Sequence, residues 1–171
     1  MSYCQFVKDR PADDLHRVYH DLHYGTLIDN DDELFGRLIL EINQAGLSWE
    51  TILKKQHNFR VAFDVYSIEK IAAYNEDDVA RLMLDPGIIR NRLKINAVIS
   101  NAQAVQQIQK EFGSFKKWLD KNNTLTKDEW VKLFKRHFKF VGGEIVNEFL
   151  MSTGYLPGAH DNTCYRWKEL N

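Results

Sequence analysis

Glu41 interrupts an otherwise apolar run, Leu38-Ile39-Leu40-Glu41-Ile42, and is followed by the amides Asn43 and Gln44, a break at Ala45-Gly46-Leu47, and Ser48-Trp49. A carboxylate buried without partners is costly, so a charge in such a run either faces water or is kept for a ligand. Read from pattern alone, a solvated Glu41 and a core Trp49 are the ordinary alternative. A second group lies in Leu84-Asp85-Pro86-Gly87-Ile88-Ile89-Arg90-Asn91-Arg92-Leu93-Lys94. Pro fixes φ, and Gly permits the positive φ that a tight turn can require. Arg90, Arg92 and Lys94 then crowd the start of a helix, where cations oppose the macrodipole and suit a bound anion better than the helix itself. The pattern is that of a helix-hairpin-helix, in which main-chain contacts through Gly87 and Ile88 grip a DNA phosphate without reading bases; an ordinary αα-corner with solvated arginines fits as well. A third group is His160-x3-Cys164 near one end of the chain, with Cys4 and His16, His20 and His23 near the other. One Cys and one His from each end would make a closed Cys2His2 site of the structural zinc type, although the spacing is not that of a zinc finger. Two free thiols are the alternative.

The elements that must position these groups read as helices throughout. Helical spacing predicts a first helix from about Ala12 to His23, ended by Gly25. Asp29 or Asn30 caps a second, which carries the stripe Leu34, Phe35, Leu38, Ile39, Ile42. Ser48 opens the next helix, and Ser67 and Asn75 cap two short ones. The longest periodic segment, Ile95 to Phe112, ends at Gly113, and Thr126 with Glu129 forms a capping box. Gly142-Gly143 precedes a helix from about Glu144 to Ser152, and the stretch from Gly154 to Asn171 reads as loop. No repeat and no β-alternation is visible, so the expected class is all-α.

At 171 residues, 44% of them hydrophobic and 12% aromatic, the chain suits one domain with a real core, residues 1–171. A formal net charge of −1 excludes a global basic field, so any nucleic-acid contact must be local. No apolar run approaches the ~20 residues of a membrane span. Met1-Ser2-Tyr3-Cys4-Gln5 lacks the features of a signal peptide. A cytoplasmic protein without disulfides is expected.

Several stretches together are similar to one family. Cys4; Tyr19-His20-Asp21 with Tyr24-Gly25; Leu40-Glu41 with Gln44-Ala45-Gly46-Leu47-Ser48-Trp49; Thr51 to Lys55; Asn58-Phe59-Arg60; Gly87 to Arg92 with Lys94-Ile95; Phe138 to Gly142; and His160 with Cys164 resemble the bacterial 3-methyladenine DNA glycosylase I family, a zinc-containing branch of the helix-hairpin-helix glycosylases. The likeness covers nearly the whole chain. It implies a hairpin near residues 84–94 and a zinc-tied lobe from residues 1–25 and 140–171, with Cys4, His20, His160 and Cys164 as ligands of one structural Zn2+. It also implies a base pocket in which Glu41 is the catalytic carboxylate, Trp49 the stacking face, and Tyr19, Tyr24 and Gln44 further contacts. Such a pocket suits an enzyme that flips its target base and reads the base edge by hydrogen bonds. The implied activity is monofunctional hydrolysis of the N-glycosidic bond of 3-methyladenine in alkylated double-stranded DNA, by a monomer that releases free 3-methyladenine. Residues Ile88 to Ile108 contain no acid, which agrees with a family understood to lack the catalytic Asp found just beyond the hairpin in most such glycosylases. Departures are Tyr24 where Trp is common, Ile42-Asn43 for Gly-Gln, His137 for Gly, and a shortened segment between Trp118 and Lys132, where a longer loop is expected to flank the pocket. A non-catalytic DNA-binding relative, or a zinc-stabilised scaffold, is the other outcome consistent with these residues.

Overall fold

The computed structural model describes residues 1–170, and among them every regular element is helical. The helices are α1 (Tyr3–Val7), α2 (Leu15–Leu22), α3 (Asp31–Gln44), α4 (Trp49–Ala62), α5 (Ile68–Ala72), α6 (Glu76–Leu84), α7 (Arg92–Phe112), α8 (Phe115–Lys121), α9 (Lys127–His137), α10 (Gly143–Ser152) and α11 (Tyr165–Leu170). Most begin where a short polar side chain meets the orphan N–H groups of a first turn. Asn30 accepts from Glu33 N–H, Ser48 from Thr51 N–H and Asn91 from Lys94 N–H. Ser2 with Gln5, Asn75 with Asp78 and Thr126 with Glu129 complete reciprocal capping boxes.

The centre of the molecule is α3. Its residues from Leu34 to Asn43 are all buried, and it packs against α4, α7, α8 and α10. An all-round buried helix needs close neighbours, and Gly36 shows how close: a Cβ there would stand 2.2 Å from the Tyr66 ring. Asp31, at the head of α3, accepts from the N–H groups of Phe115 and Lys116 at 2.8 and 3.0 Å, so the start of one helix caps another far along the chain. A separate small cluster of Tyr19, Tyr24 and Leu53, with Tyr3, Trp49, Met151 and Ala159 against it, joins the two ends of the chain to α3 and α4.

Four helices differ from the sequence expectation. The stretch expected as loop from Gly154 onward contains α11, which buries none of its residues and so shows no core-facing stripe. The five-residue α1 is too short for periodicity, although its Ser2/Gln5 box was present to be read. In α8, Phe115, Trp118 and Leu119 do form a buried stripe behind a Ser114 cap, which the sequence reading passed over. The first long helix begins three residues later than expected, at Leu15, because Asp14 caps it by accepting from His16 and Arg17 N–H.

Candidate base pocket, metal centre and hairpin

The last turns of α3 carry Glu41 and Gln44, the turn at Ala45-Gly46 reverses the chain, and Ser48 starts α4 with Trp49 in its first turn. Gly46 takes φ +79°, with open space where a Cβ would be, so its glycine serves backbone conformation and not packing. Around this turn lies a cavity of about 870 Å³. Glu41, Gln44 and Trp49 line it, with Tyr19 and Tyr24 from α2 and the turn after it. Tyr19 lies 5.2 Å from Trp49 and 5.7 Å from Tyr24 between ring centroids, so the three rings form one continuous aromatic wall.

Glu41 is 3% exposed. Among the described residues no donor is hydrogen-bonded to its carboxylate. Arg37, one turn earlier, spends its Nη1 on the Tyr19 hydroxyl and the Ser152 carbonyl, at 3.2 and 3.3 Å. Burial therefore pushes the Glu41 carboxyl up to about 8, with the Arg37 charge only partly opposing and Glu148 adding to the rise. A buried carboxylate without a donor, at the wall of an open cavity, is a group waiting for one.

The N-terminal helices and the segment after α10 meet at the second site. Cys4, His20, His160 and Cys164 are all buried, and their donor atoms lie within 4.8 Å of one another. His160 Nδ1 and His20 Nε2 are 3.2 Å apart; Cys164 Sγ lies 3.6 Å from His20 Nε2 and 3.8 Å from His160 Nδ1, and Cys4 Sγ lies 3.7 Å from His160 Nδ1. The outer ring nitrogens are held as ligand histidines require. His20 Nδ1 sits 2.7 Å from Asp21, and His160 Nε2 2.7 Å from the Tyr24 carbonyl oxygen. Asp21 is fixed in turn by Arg17 at 2.8 Å and by the Tyr165 hydroxyl of α11. Of the three histidines near Cys4, only His20 joins the cluster; His16 pairs with the Tyr3 hydroxyl at 3.0 Å, and His23 is exposed. The four residues could hold a metal ion.

The third site is the turn between α6 and α7. Gly87 N–H donates to Asp85 Oδ1 at 2.8 Å, Ile88 is buried, and Lys55 Nζ donates to the Pro86 carbonyl at 3.2 Å. The need for glycine differs from the expected one. Gly87 does not take a positive φ; a Cβ there would instead stand 3.0 Å from the Asn58 side chain, so the reason is close approach. The backbone N–H groups of Ile89 and Arg90 donate to no described residue, and the exposed Arg90 side chain has no ion-pair partner among them. Arg92 is exposed as well, 3.6 Å from Glu76. Lys94, expected with Arg90 and Arg92 as a cation for a DNA phosphate, is turned inward instead. It is 4% exposed, and its ammonium donates to the carbonyls of Asn43 and Ala45 at 2.8 and 2.7 Å. It thus satisfies the orphan carbonyls at the end of α3 and ties the hairpin helix to the turn beneath the cavity.

The structure also places the departures. Tyr24 lines the cavity, but Ile42 is fully buried in the core on another face of α3. His137 is exposed with its ring edge against Trp118. No residue between Trp118 and Lys132 lines the cavity, so the shortened segment supplies no wall to it. The sequence reading missed Tyr3, Glu144, Glu148, Met151 and Ala159, which also line it. They come from elements whose approach to α3 only the tertiary fold creates, although Glu144, Ile145, Glu148 and Met151 do share one face of α10.

The chain is thus an all-helical protein in which a buried carboxylate faces an aromatic wall across one cavity, with a hairpin whose Ile89 and Arg90 N–H groups meet no acceptor among the described residues. Residues 9–132 match the methyladenine glycosylase family, and the chain belongs to it. It is 37% identical over 173 residues to DNA-3-methyladenine glycosylase 1 of Escherichia coli (strain K12), covering 90% of this chain and 91% of that protein. It is 33% identical to DNA-3-methyladenine glycosylase of Haemophilus influenzae, covering 85% and 89%. A solved structure of a 3-methyladenine DNA glycosylase I variant in complex with 3-methyladenine superposes with a TM-score of 0.86 at 32% identity, covering 96% of this chain and 97% of the other.

Proposed function

We propose that this protein is a DNA repair glycosylase that hydrolyses the N-glycosidic bond of 3-methyladenine in alkylated double-stranded DNA. The observation that carries the reading is Glu41: a buried carboxylate without a donor, facing a cavity walled by Tyr19, Tyr24 and Trp49. An extruded base would stack on the Trp49 side of that wall and donate its edge to Glu41, with Gln44 bordering the same space. Alkylation at a ring nitrogen gives the base a positive charge, which aromatic faces and a carboxylate favour over neutral adenine. The cationic base leaves as a neutral molecule, so its departure needs little acid help. As the bond breaks, the positive charge passes to the sugar, where a nearby carboxylate still stabilises it. Water is then the nucleophile, and a lyase step through a lysine is not required. The hairpin would hold a phosphate through the free Ile89 and Arg90 N–H groups, with Arg90 and Arg92 adding charge. Leu47, 39% exposed on the turn beside the cavity, is of the apolar type that wedges between base steps.

The Cys4, His20, His160 and Cys164 cluster fits zinc. Tetrahedral Zn2+ with ordinary bond lengths gives edges of about 3.3 Å between nitrogens and about 3.5–3.6 Å between nitrogen and sulfur. The spacings of 3.2, 3.6, 3.7 and 3.8 Å agree. With four protein ligands such an ion is structural, and Cys4 and Cys164 would bind as thiolates. Its role is to hold Tyr19 and Tyr24, next to His20, against Ala159, next to His160.

Release of free 3-methyladenine from methylated duplex DNA is the direct assay. Turnover that falls sharply in Glu41→Gln supports the reading; no release by folded, zinc-loaded protein overturns it.

A further inference from the structure

The cavity carries more negative charge than one base-reading carboxylate explains. Glu41, Glu144, Glu148 and Asp161 line it, and no lysine or arginine does. Such a site works against a polyanionic substrate, since each carboxylate at the mouth repels phosphates. It becomes sensible only if the guest itself is positive.

Glu148 is the informative member. It sits on the face of α10 that also carries Glu144, Ile145 and Met151 into the cavity, and α10 packs against α3, which carries Glu41. Glu148 is partly buried, yet no hydrogen bond or ion pair reaches its carboxylate among the described residues. A carboxylate kept for stability would have been given a donor, as Glu33 has in its two 2.7 Å contacts with Arg60. Burial and the nearby Glu144 push the Glu148 carboxyl up, and its charge in turn makes Glu41, Tyr19 and Tyr24 harder to ionise.

We propose that Glu148 is a second specificity-determining carboxylate of the cavity, which together with Glu41 selects a purine carrying a fixed positive charge over its neutral counterpart. The inference rests on the base-pocket reading of Glu41 and Trp49. Glu148 adds charge selection without stacking: it stabilises the cation before bond cleavage and loosens its hold once the base has become neutral. The ligand class is therefore the N-alkylated, cationic purine as it exists in the nucleotide.

The test is calorimetric titration of the metal-loaded protein at pH 8.5 with two small probes. The 3,9-dimethyladenine cation mimics the alkylated base with its charge fixed, and 9-methyladenine is the neutral counterpart. Glu148→Gln is expected to weaken binding of the cation about tenfold while changing that of the neutral probe less than twofold, and Glu148→Asp is expected to recover most of the loss. An unchanged ratio of the two affinities in Glu148→Gln overturns the inference, and so does an equal loss for both probes, which would mark Glu148 as a packing residue. If the unsubstituted protein binds neither probe, the base-pocket reading itself fails. Unfolding curves of both variants, expected to match the parent, separate these results from misfolding.

Discussion

At the scale of single residues, the role proposed for the Glu41 carboxylate ties reactivity and stability to one perturbed titration. Its carboxyl is pushed from 4.5 up to about 8 by burial, against the partial opposition of Arg37 and with the support of Glu148. Because kcat/KM reports the free enzyme, base release should rise with pH and level off above about 8, and the residual activity of Glu41→Gln should lose that dependence. The stability effect runs the other way. A carboxyl that is harder to ionise folded than unfolded favours the fold while protonated, fully so below about 4.5, and that contribution disappears as pH climbs to about 8. Glu41→Gln should therefore match the parent in denaturant at about pH 4.5 and exceed it by about 1–3 kcal/mol at about pH 9. Arg90, exposed and unpaired, belongs to the other side of the chemistry. Arg90→Ala should weaken DNA binding alike for all sequences and lower the slope of log K against log salt by about one. Glu41 stood out in sequence as a charge within Leu38–Ile42, but the pattern alone left a solvated carboxylate as the ordinary reading, and the family resemblance tipped it towards a pocket. Glu148 did not stand out, since it sits in an ordinary amphipathic helix and its meaning depends on what α10 faces.

At the scale of elements, the hairpin and the pocket turn are mechanically one piece. Lys94 near the start of α7 holds the carbonyls that end α3, so the anion-gripping turn and the Glu41–Trp49 turn are joined through one ammonium. Removing it leaves those carbonyls and the space of a buried side chain unfilled. Lys94→Ala should cost about 2–3 kcal/mol in chemical denaturation and lower base release without changing metal content. Helix starts were readable where Asn30, Ser48, Asn75 and Thr126 stand as acceptors for orphan N–H groups, whereas the Asn91 cap of α7 was not singled out. Short helices were less so. α11 lacks a buried face, and α1, at five residues, is too short for an apolar stripe to repeat along it. Lys94 reads in sequence as one more cation of a basic cluster, and only tertiary packing turns it inward.

At the scale of the whole molecule, one cluster joins residues 160 positions apart, Cys4 and Cys164. Zinc close to one per chain is expected by elemental analysis, and Cys164→Ala should lose it. Melting temperature should drop with the metal, and Tyr19 and Tyr24 should lose their fixed orientation. A chelator should act like the substitution, and restored zinc should recover base release only in the parent. Family resemblance singled out His20, whereas spacing left three histidines equivalent; the fold separates them by giving His16 to Tyr3 and leaving His23 outside.

The cavity wall has a consequence for how the protein comes into being. Glu41 and Trp49 lie within the first third of the chain, but Met151, Gly158, Ala159 and Asp161 complete the enclosure. On a ribosome, which delivers the N-terminal side first, Glu41, Trp49 and the hairpin all emerge before the residues of the opposite wall. The cavity is therefore enclosed only once the chain through Cys164 has emerged and returned to α2.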